Sequence, residues 1–341
     1  MGVPSKKTVV ATPNIALVKY WGRRNRDINL PFNSSLSMTL DYSLSTETTV
    51  SFSNKISSHR ITIDGRTVAL SRGDEKLQKM ERVIDEMLIL GNYGKEFKAV
   101  IDSKSTFPRD VGIASSASGG AALVCAVNES LELNLDRKYL SIMARKISGS
   151  ACRSIFGGIV KWKRGSRRDG SDSYAEMVHG PGHWEELRDI IAIVSEEKKT
   201  VSSSEGHDIT SSTSPLFKLR PGLAEDSIVK AVHSVRMRDF ASLGEIVMRD
   251  SNNMHAAMMD SWPPIIYLKD SSRRIMAKIE EMNESEGKII AAYTFDAGPN
   301  PHILTLDRYA AKVEREIEDS GAIKKILKSV TGAGPKVVYR E

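Results

Sequence analysis

Four segments hold residues whose type and surroundings could do chemistry. In Asn14-Ile-Ala-Leu-Val-Lys19-Tyr-Trp-Gly-Arg23, a lysine sits within an apolar run. Such a lysine must find a partner or lose its charge, unless it stands at a strand end and reaches solvent. In Ser148-Gly-Ser-Ala-Cys-Arg153-Ser-Ile-Phe-Gly-Gly158, small neighbours leave Arg153 room to present its fork to a carboxylate or phosphate. The alternative is an arginine salt-bridged at the start of a strand. In Tyr293-Thr-Phe-Asp296-Ala-Gly-Pro-Asn300, an aspartate ends an apolar strand, a placement suited to a cleft. Turn chemistry accounts for the same residues. The fourth segment is Pro108-Arg109-Asp110-Val-Gly112-Ile-Ala-Ser115-Ser116-Ala-Ser118-Gly-Gly120, where small residues follow a strand and open a helix. Backbone N–H groups and serine hydroxyls at such a turn can approach an anion, and the helix dipole favours negative charge. A tight helix entry packed on a sheet is the other reading. It is not a Walker loop, since no Gly-Lys-Ser/Thr follows.

Other residues offer less. The histidines at 179, 183, 207, 233, 255 and 302 have no metal-ligand spacing. Ser251-Asn-Asn-Met-His255 reads as a helix surface. Cys152 reads as a small packed residue, with no histidine near it in sequence.

The elements that must position these groups follow from periodicity. Residues 8–20 and 45–70 alternate apolar and polar with many Thr, Val and Ile, which predicts strands. Residues 74–91 have helical spacing with Gly91 as a stop, and strand 97–102 follows. A helix over 137–149, strand 153–164 and strand 189–195 come next, then a Lys/Ser-rich loop at 196–206. Helices near 222–249 and 263–285, strands 288–295 and 301–306, helix 308–319 and a closing strand pair near 323–340 complete the chain. Strands and helices interleave without regular βαβ units, which predicts two α+β halves, divided near the turn-rich His179-Gly-Pro-Gly182.

The chain has 341 residues, 40% hydrophobic and 27% charged, enough apolar content for a sizeable core and too much for disorder. Two cysteines exclude a disulfide scaffold. No apolar run approaches the roughly 18 residues of a membrane span. The N-terminus lacks a signal-peptide pattern, which predicts a cytoplasmic protein. The net charge of +6 suits an anionic partner. The basic residues are scattered and form no recognised nucleic-acid module, and on charge alone a small phosphorylated substrate fits as well as a nucleic acid. The expectation carried forward is the former, with no nucleic-acid or membrane partner and a nucleic-acid binder as the remaining alternative.

Seven segments, namely NIALVKYWG, LPFNSSLSMTL, GIASSASG, SGSACRSIFGG, SEEKKTVSS, SNNMHA and AYTFDAGPN, stand in the order and spacing of the diphosphomevalonate decarboxylase family. The chain resembles that family, within the galactokinase–homoserine kinase–mevalonate kinase superfamily, nearly end to end. The resemblance implies an α+β, two-domain small-molecule-kinase-like fold. Its ribosomal protein S5-like N-terminal domain would span 1–185 with the phosphate loop, and its ferredoxin-like C-terminal domain 186–341 with the catalytic aspartate. It implies a homodimer. It also implies removal of a C3 phosphate and CO₂ from a phosphorylated mevalonate to give an isopentenyl product. Asp296 matches the family's catalytic aspartate, Lys19 would pair with it, and Arg153 would hold the substrate carboxylate. Tyr20, Arg23, Ser148 and Ser150 match substrate contacts, with Arg23 replacing the usual Lys. Arg109, Gly112, Ser115, Ser116 and Ser118 would form the phosphate or nucleotide loop.

Two departures shape the expected reaction. Arg109 and Asp110 place charges where the family loop carries small residues, and an aspartate repels a triphosphate. Ser202-Ser-Ser-Glu205-Gly-His207 lacks an arginine that grips the diphosphate in some members, and adds an acid. These features favour ATP-independent decarboxylation of mevalonate 3,5-bisphosphate, with no cofactor and no metal. ATP and Mg²⁺ belong to the alternative, a diphosphomevalonate or phosphomevalonate decarboxylase. A non-catalytic phosphometabolite-binding protein is the reading from another class.

Overall fold

The computed structural model describes residues 4–68, 74–107, 115–197 and 199–338. The first half runs β1 (Lys7–Ala11), β2 (Asn14–Val18), β3 (Arg23–Asn25), β4 (Leu30–Pro31), β5 (Ser35–Thr39), β6 (Thr46–Ser53), β7 (Arg60–Ile63), β8 (Arg66–Val68), α1 (Glu75–Leu90), β9 (Lys98–Ser105), α2 (Ser115–Ser130), α3 (Arg137–Ile147), a 3₁₀ helix (Gly149–Ile155), β10 (Ile159–Trp162) and β11 (Ala175–His179). The second half runs β12 (Leu187–Ile193), α4 (Ser203–Thr213), α5 (Arg220–Met237), α6 (Phe240–Met259), α7 (Asp270–Ser285), β13 (Ala291–Phe295), β14 (Pro301–Leu306), α8 (Asp307–Asp319), β15 (Lys325–Val330) and β16 (Lys336–Val338).

Strand β6 alternates buried and half-buried residues along its whole length, as a one-faced strand should. It anchors a sheet ordered β16-β1-β6-β9-β7-β8. Helix α1 starts where the Asp74 carboxylate accepts from the Lys76 and Leu77 N–H groups, and it buries Leu77, Met80, Val83, Ile84, Met87 and Leu88. A second sheet is ordered β11-β10-β5-β2 and a third β13-β14-β12-β15. Ile15, Leu17 and Met38 from the second sheet share one core with Leu187, Ile228, Leu243 and Leu304. That shared core fixes the cleft between the halves, because close-packed interiors deform little.

The structure corrects several expected elements. The run 8–20 is two strands in different sheets, because Pro13 has no N–H to continue the ladder. Residues 153–155 belong to the 3₁₀ helix. Strand β10 begins only after Gly158, whose φ of +80° re-aims the chain. The 196–206 loop ends early, because Ser202 caps α4 by accepting from the Glu205 N–H at 3.1 Å. The 222–249 helix is two helices, parted by Arg238 at φ 54° and capped anew by Asp239. The closing pair is no pair: β15 joins β12, whereas β16 returns to β1 in the first sheet.

Candidate active site

The site is built around the end of β2. The Lys19 N–H donates to Asp250 Oδ2 at 2.6 Å, and the Lys19 carbonyl accepts from Asn33 Nδ2 and Arg220 Nη2. Arg220 and Asp250 form a fully buried ion pair at 3.2 Å, so both sides of the Lys19 peptide are clamped. A clamped backbone limits where the side chain can go. Lys19 Nζ meets Asp296 Oδ1 at 2.7 Å, with the lysine side chain 2% and the aspartate side chain 30% exposed. Lys19 therefore reaches a partner, not solvent, and Asp296 opens to the cleft on its other side.

Asp296 leaves β13 directly after Phe295, whose N–H donates to Ser251 Oγ at 3.0 Å. Ser251, Met254 and His255 on α6 are buried beneath β13, so this segment is an inward face and not the helix surface expected. Burial alone would raise the Asp296 carboxyl. The Lys19 ammonium, with help from His302 and Arg153, outweighs it and holds the carboxyl below its usual range. Asp296 is therefore an anion at neutral pH.

Arg153 lies in the 3₁₀ helix, buried to 3% exposure. Its Nε donates to Asn14 Oδ1 at 2.9 Å and Nη1 to Ser35 Oγ at 2.8 Å. These bonds fix the guanidinium plane. They leave Nη2 free of protein bonds among the described residues, on a side chain that lines the cleft. Burial lowers its pKa, yet it has no carboxylate bound to it, which suits an incoming one.

Ser148 Oγ stands 3.4 Å from Ser116 Oγ and 3.3 Å from Ser150 Oγ, and these three line the cleft with Ser115, at the start of α2. Tyr20 packs edge-on against Trp162 at 4.6 Å, and burial pushes its phenol up, so it stays a donor. Ser118 does not join them; it is buried and bonded to Thr46 Oγ1 at 2.7 Å. Arg109 and Gly112 lie outside the described residues. Cys152 is buried with its thiol pushed up to about 12, which suits packing and not attack.

Arg23 is the surprise. Its Nε and Nη2 donate to Asp208 on α4 at 3.1 and 2.6 Å, Nη2 also to the Ser204 carbonyl, and Nη1 to Asn29 Oδ1. Glu75 stands 3.7 Å from Nη1. Most of its donors are spent inside the protein. Arg26 and then Lys79 bond Glu75 in turn, drawing that carboxyl down to about 2. The whole cleft encloses about 900 Å³ and takes walls from both halves. Asp250, Arg220 and Asp208 are not singled out by the sequence, and His207 enters there only as a histidine without metal-ligand spacing. Asp250, Ser251, Met254, His255 and Met258 fall at inward helical spacing, a signal that marked at least the first of them.

Residues 11–175 match the diphosphomevalonate decarboxylase-like N-terminal domain, and residues 189–329 the mevalonate 5-diphosphate decarboxylase C-terminal domain. The diphosphomevalonate decarboxylase mvd1 of Aspergillus fumigatus is 41% identical over 331 residues, covering 94% of this chain and 80% of that protein. The chain belongs to the diphosphomevalonate decarboxylase family. This decarboxylase is 38% identical to the Bos taurus diphosphomevalonate decarboxylase, over 92% of this chain and 80% of that one. The mevalonate diphosphate decarboxylase of Staphylococcus aureus superposes with a TM-score of 0.89 at 30% identity, covering 98% of both chains. A structure described as MDDEF in complex with MVAPP, AMPPCP and magnesium superposes at 0.88 with 31% identity, covering 98% of this chain and 99% of that one. The enzyme is thus a carboxy-lyase of phosphorylated mevalonate.

The expectation of a cofactor-free enzyme is corrected by that last relative, whose complex contains AMPPCP and magnesium together with MVAPP. The charges behind that expectation, Arg109 and Asp110, lie outside the described residues, whereas Ser115 and Ser116 stay on the cleft wall. Hydroxyls at the first turn of a helix fit a polyphosphate. Among the described residues no group of three or more His, Cys, Asp or Glu side chains is placed to hold a metal ion. No helix among them is long and apolar enough to cross a membrane.

Proposed function

We propose that the enzyme is an ATP-dependent decarboxylase of mevalonate 5-diphosphate, releasing CO₂ and the C3 phosphate to form isopentenyl diphosphate. The observation that carries this is the Lys19–Asp296 pair beside Arg153, in a cleft that the α2 serines also line. Ser115, Ser116 and the start of α2 are suited to the nucleotide phosphates. When bound, the nucleotide with its magnesium supplies the phosphoryl group that turns the C3 oxygen into a leaving group.

The chain's own groups do the rest. An aspartate held ionised well below neutral pH is a weak base, so Asp296 accepts a hydrogen bond from the C3 hydroxyl and aims its oxygen. When phosphate departs, positive charge grows at C3, and the same carboxylate stabilises it. Lys19 keeps Asp296 ionised and offsets phosphate charge. Arg153 Nη2 pins the substrate carboxylate, whose C–C electron pair becomes the double bond as CO₂ leaves. Tyr20, Ser148 and Ser150 contact the substrate. Two copies of the chain pair as a homodimer in this reading, which sedimentation checks.

The test is CO₂ release from mevalonate 5-diphosphate with and without ATP–Mg²⁺. Release only with ATP is expected. No release with ATP present, or equal release without it, sinks the proposal.

A further inference from the structure

His207 lies on α4 with its ring packed against Tyr20 at 4.4 Å and Trp21 at 4.1 Å. Its Nδ1 accepts from the Gly22 N–H at 2.8 Å. A backbone N–H can only donate, so Nδ1 carries no proton and the neutral ring carries its hydrogen on Nε2. The only hydrogen bond of the ring among the described residues is the one at Nδ1, which leaves Nε2 without a protein partner, and the side chain lines the cleft. Burial, reinforced by the Arg23 guanidinium and only partly opposed by Asp296, holds the imidazole pKa well below its ordinary value.

The ring cannot turn away. Its neighbour Asp208 is bonded twice to Arg23. On the other side, a Cβ at Gly206 would stand 2.8 Å from the Tyr267 hydroxyl and 3.0 Å from Trp21, so α4 lies close against this wall. The ring packs on Tyr20, next in the chain to the Lys19 that pairs with Asp296, and its own neighbour Asp208 bonds Arg23, so it lies on the cleft wall between the Lys19–Asp296 pair and Arg23. With the substrate carboxylate at Arg153 and C3 at Asp296, what reaches His207 is the phosphorylated end.

Resting on the proposed reaction for the substrate's identity, we propose that His207 is a binding residue, its Nε2–H donating to an oxygen of the substrate's 5-phosphate end. Arg23, at the same end, has spent its donors on Asp208, Ser204 and Asn29. A neutral donor supplies a hydrogen bond there without adding another buried charge that would itself need a partner.

Two isosteric variants separate this role from a purely structural one. His207→Asn keeps an acceptor at the Nδ1 position for Gly22 but places nothing at Nε2. His207→Gln reaches the Nε2 position with an amide N–H. Calorimetric binding of mevalonate 5-diphosphate, without nucleotide, should weaken about tenfold in the Asn variant and stay within about threefold of wild type in the Gln variant. Any result in which the Gln variant does not bind more tightly than the Asn variant overturns the proposal. In the unsubstituted protein, the His207 Nε2–H proton resonance should move downfield when mevalonate 5-diphosphate is added. An unmoved resonance overturns the proposal even where a variant folds poorly. Because binding is read without ATP, failed ATP-dependent turnover would sink the reaction and leave this result standing. Absence of binding by wild type sinks both.

Discussion

Lys19 and Arg23 stand four residues apart in one segment, and each meets an aspartate from the second half of the chain, yet they end in opposite situations. Lys19 is buried against one carboxylate, and that carboxylate keeps a face open to the cleft. Arg23 is as deeply buried, but its fork is filled by Asp208, Ser204 and Asn29, with Glu75 beside it. A pair with unused hydrogen-bonding capacity can meet a substrate; a saturated one fastens two elements together. Arg23 thus ties β3 to α4, whereas the Lys19–Asp296 pair stays open to the cleft. Arg153 belongs with Lys19: two bonds orient it and its Nη2 remains without a protein partner among the described residues.

The contrast can be broken most directly at Asp296. Asp296→Asn keeps the shape and removes the charge, and CO₂ release should fall at least a thousandfold, about 4 kcal/mol of barrier, with the fold retained. Wild-type turnover in this variant would erase the distinction. Arg153→Lys keeps a cation but not the planar fork, so kcat/KM should drop about a hundredfold; a steady-state comparison returning less than a threefold change would remove Arg153 from the open group.

At the saturated end the loss should appear in stability first. Asp208→Asn takes the strongest partner from a buried guanidinium. Glu75, Asn29 and the Ser204 carbonyl remain and Asp208 is itself 33% exposed, so the cost is about 1–2 kcal/mol of unfolding free energy and not the larger value of a wholly stranded charge. Denaturant unfolding measures it, and a variant as stable as wild type would mean that the latch holds nothing.

A pH profile sharpens the comparison at smaller scale. The folded-state pKa of Asp296 is depressed, so its stabilising contribution is complete above the ordinary carboxylate value of about 4 and is lost as pH falls through the lower folded value. No acid limb from Asp296 should appear in kcat between pH 8 and 5, and an Asp296→Asn-sensitive limb in that window would contradict the ionised assignment. Smallest of all, alkylation of the native protein by iodoacetamide should leave activity unchanged, since Cys152 is buried with its thiol at about 12. Rapid inactivation traced to Cys152 would show the wall beside Arg153 to be open.

The groups around Lys19 and Asp296 could be singled out in the sequence because they sit in short, ordered segments. The residues alone left Lys19 either a partner or solvent and Asp296 either a cleft or a turn; the order of the family segments is what pairs the two, as the structure does. Helix α1 was legible through its spacing and its Asp74 cap. Helix α4 was not, because serines read as loop until one of them caps a helix. The inward face of Ser251 and His255 was read as surface, since polar residues at a buried position are explained only by partners elsewhere in the chain, here the Phe295 N–H for Ser251.

The chain by itself determined the kinds of group available: a lysine, an arginine and an aspartate in apolar or small-residue settings, serines opening a helix, and a family order of segments. Those are local properties of type and spacing, and local physics suffices to see them. Only the tertiary structure decided which cation faces the cleft with capacity to spare, and which nitrogen of His207 carries a proton. Both answers depend on α4 and α6 arriving some two hundred residues later against the end of β2, where hydrogen-bond partners are assigned by packing and not by sequence.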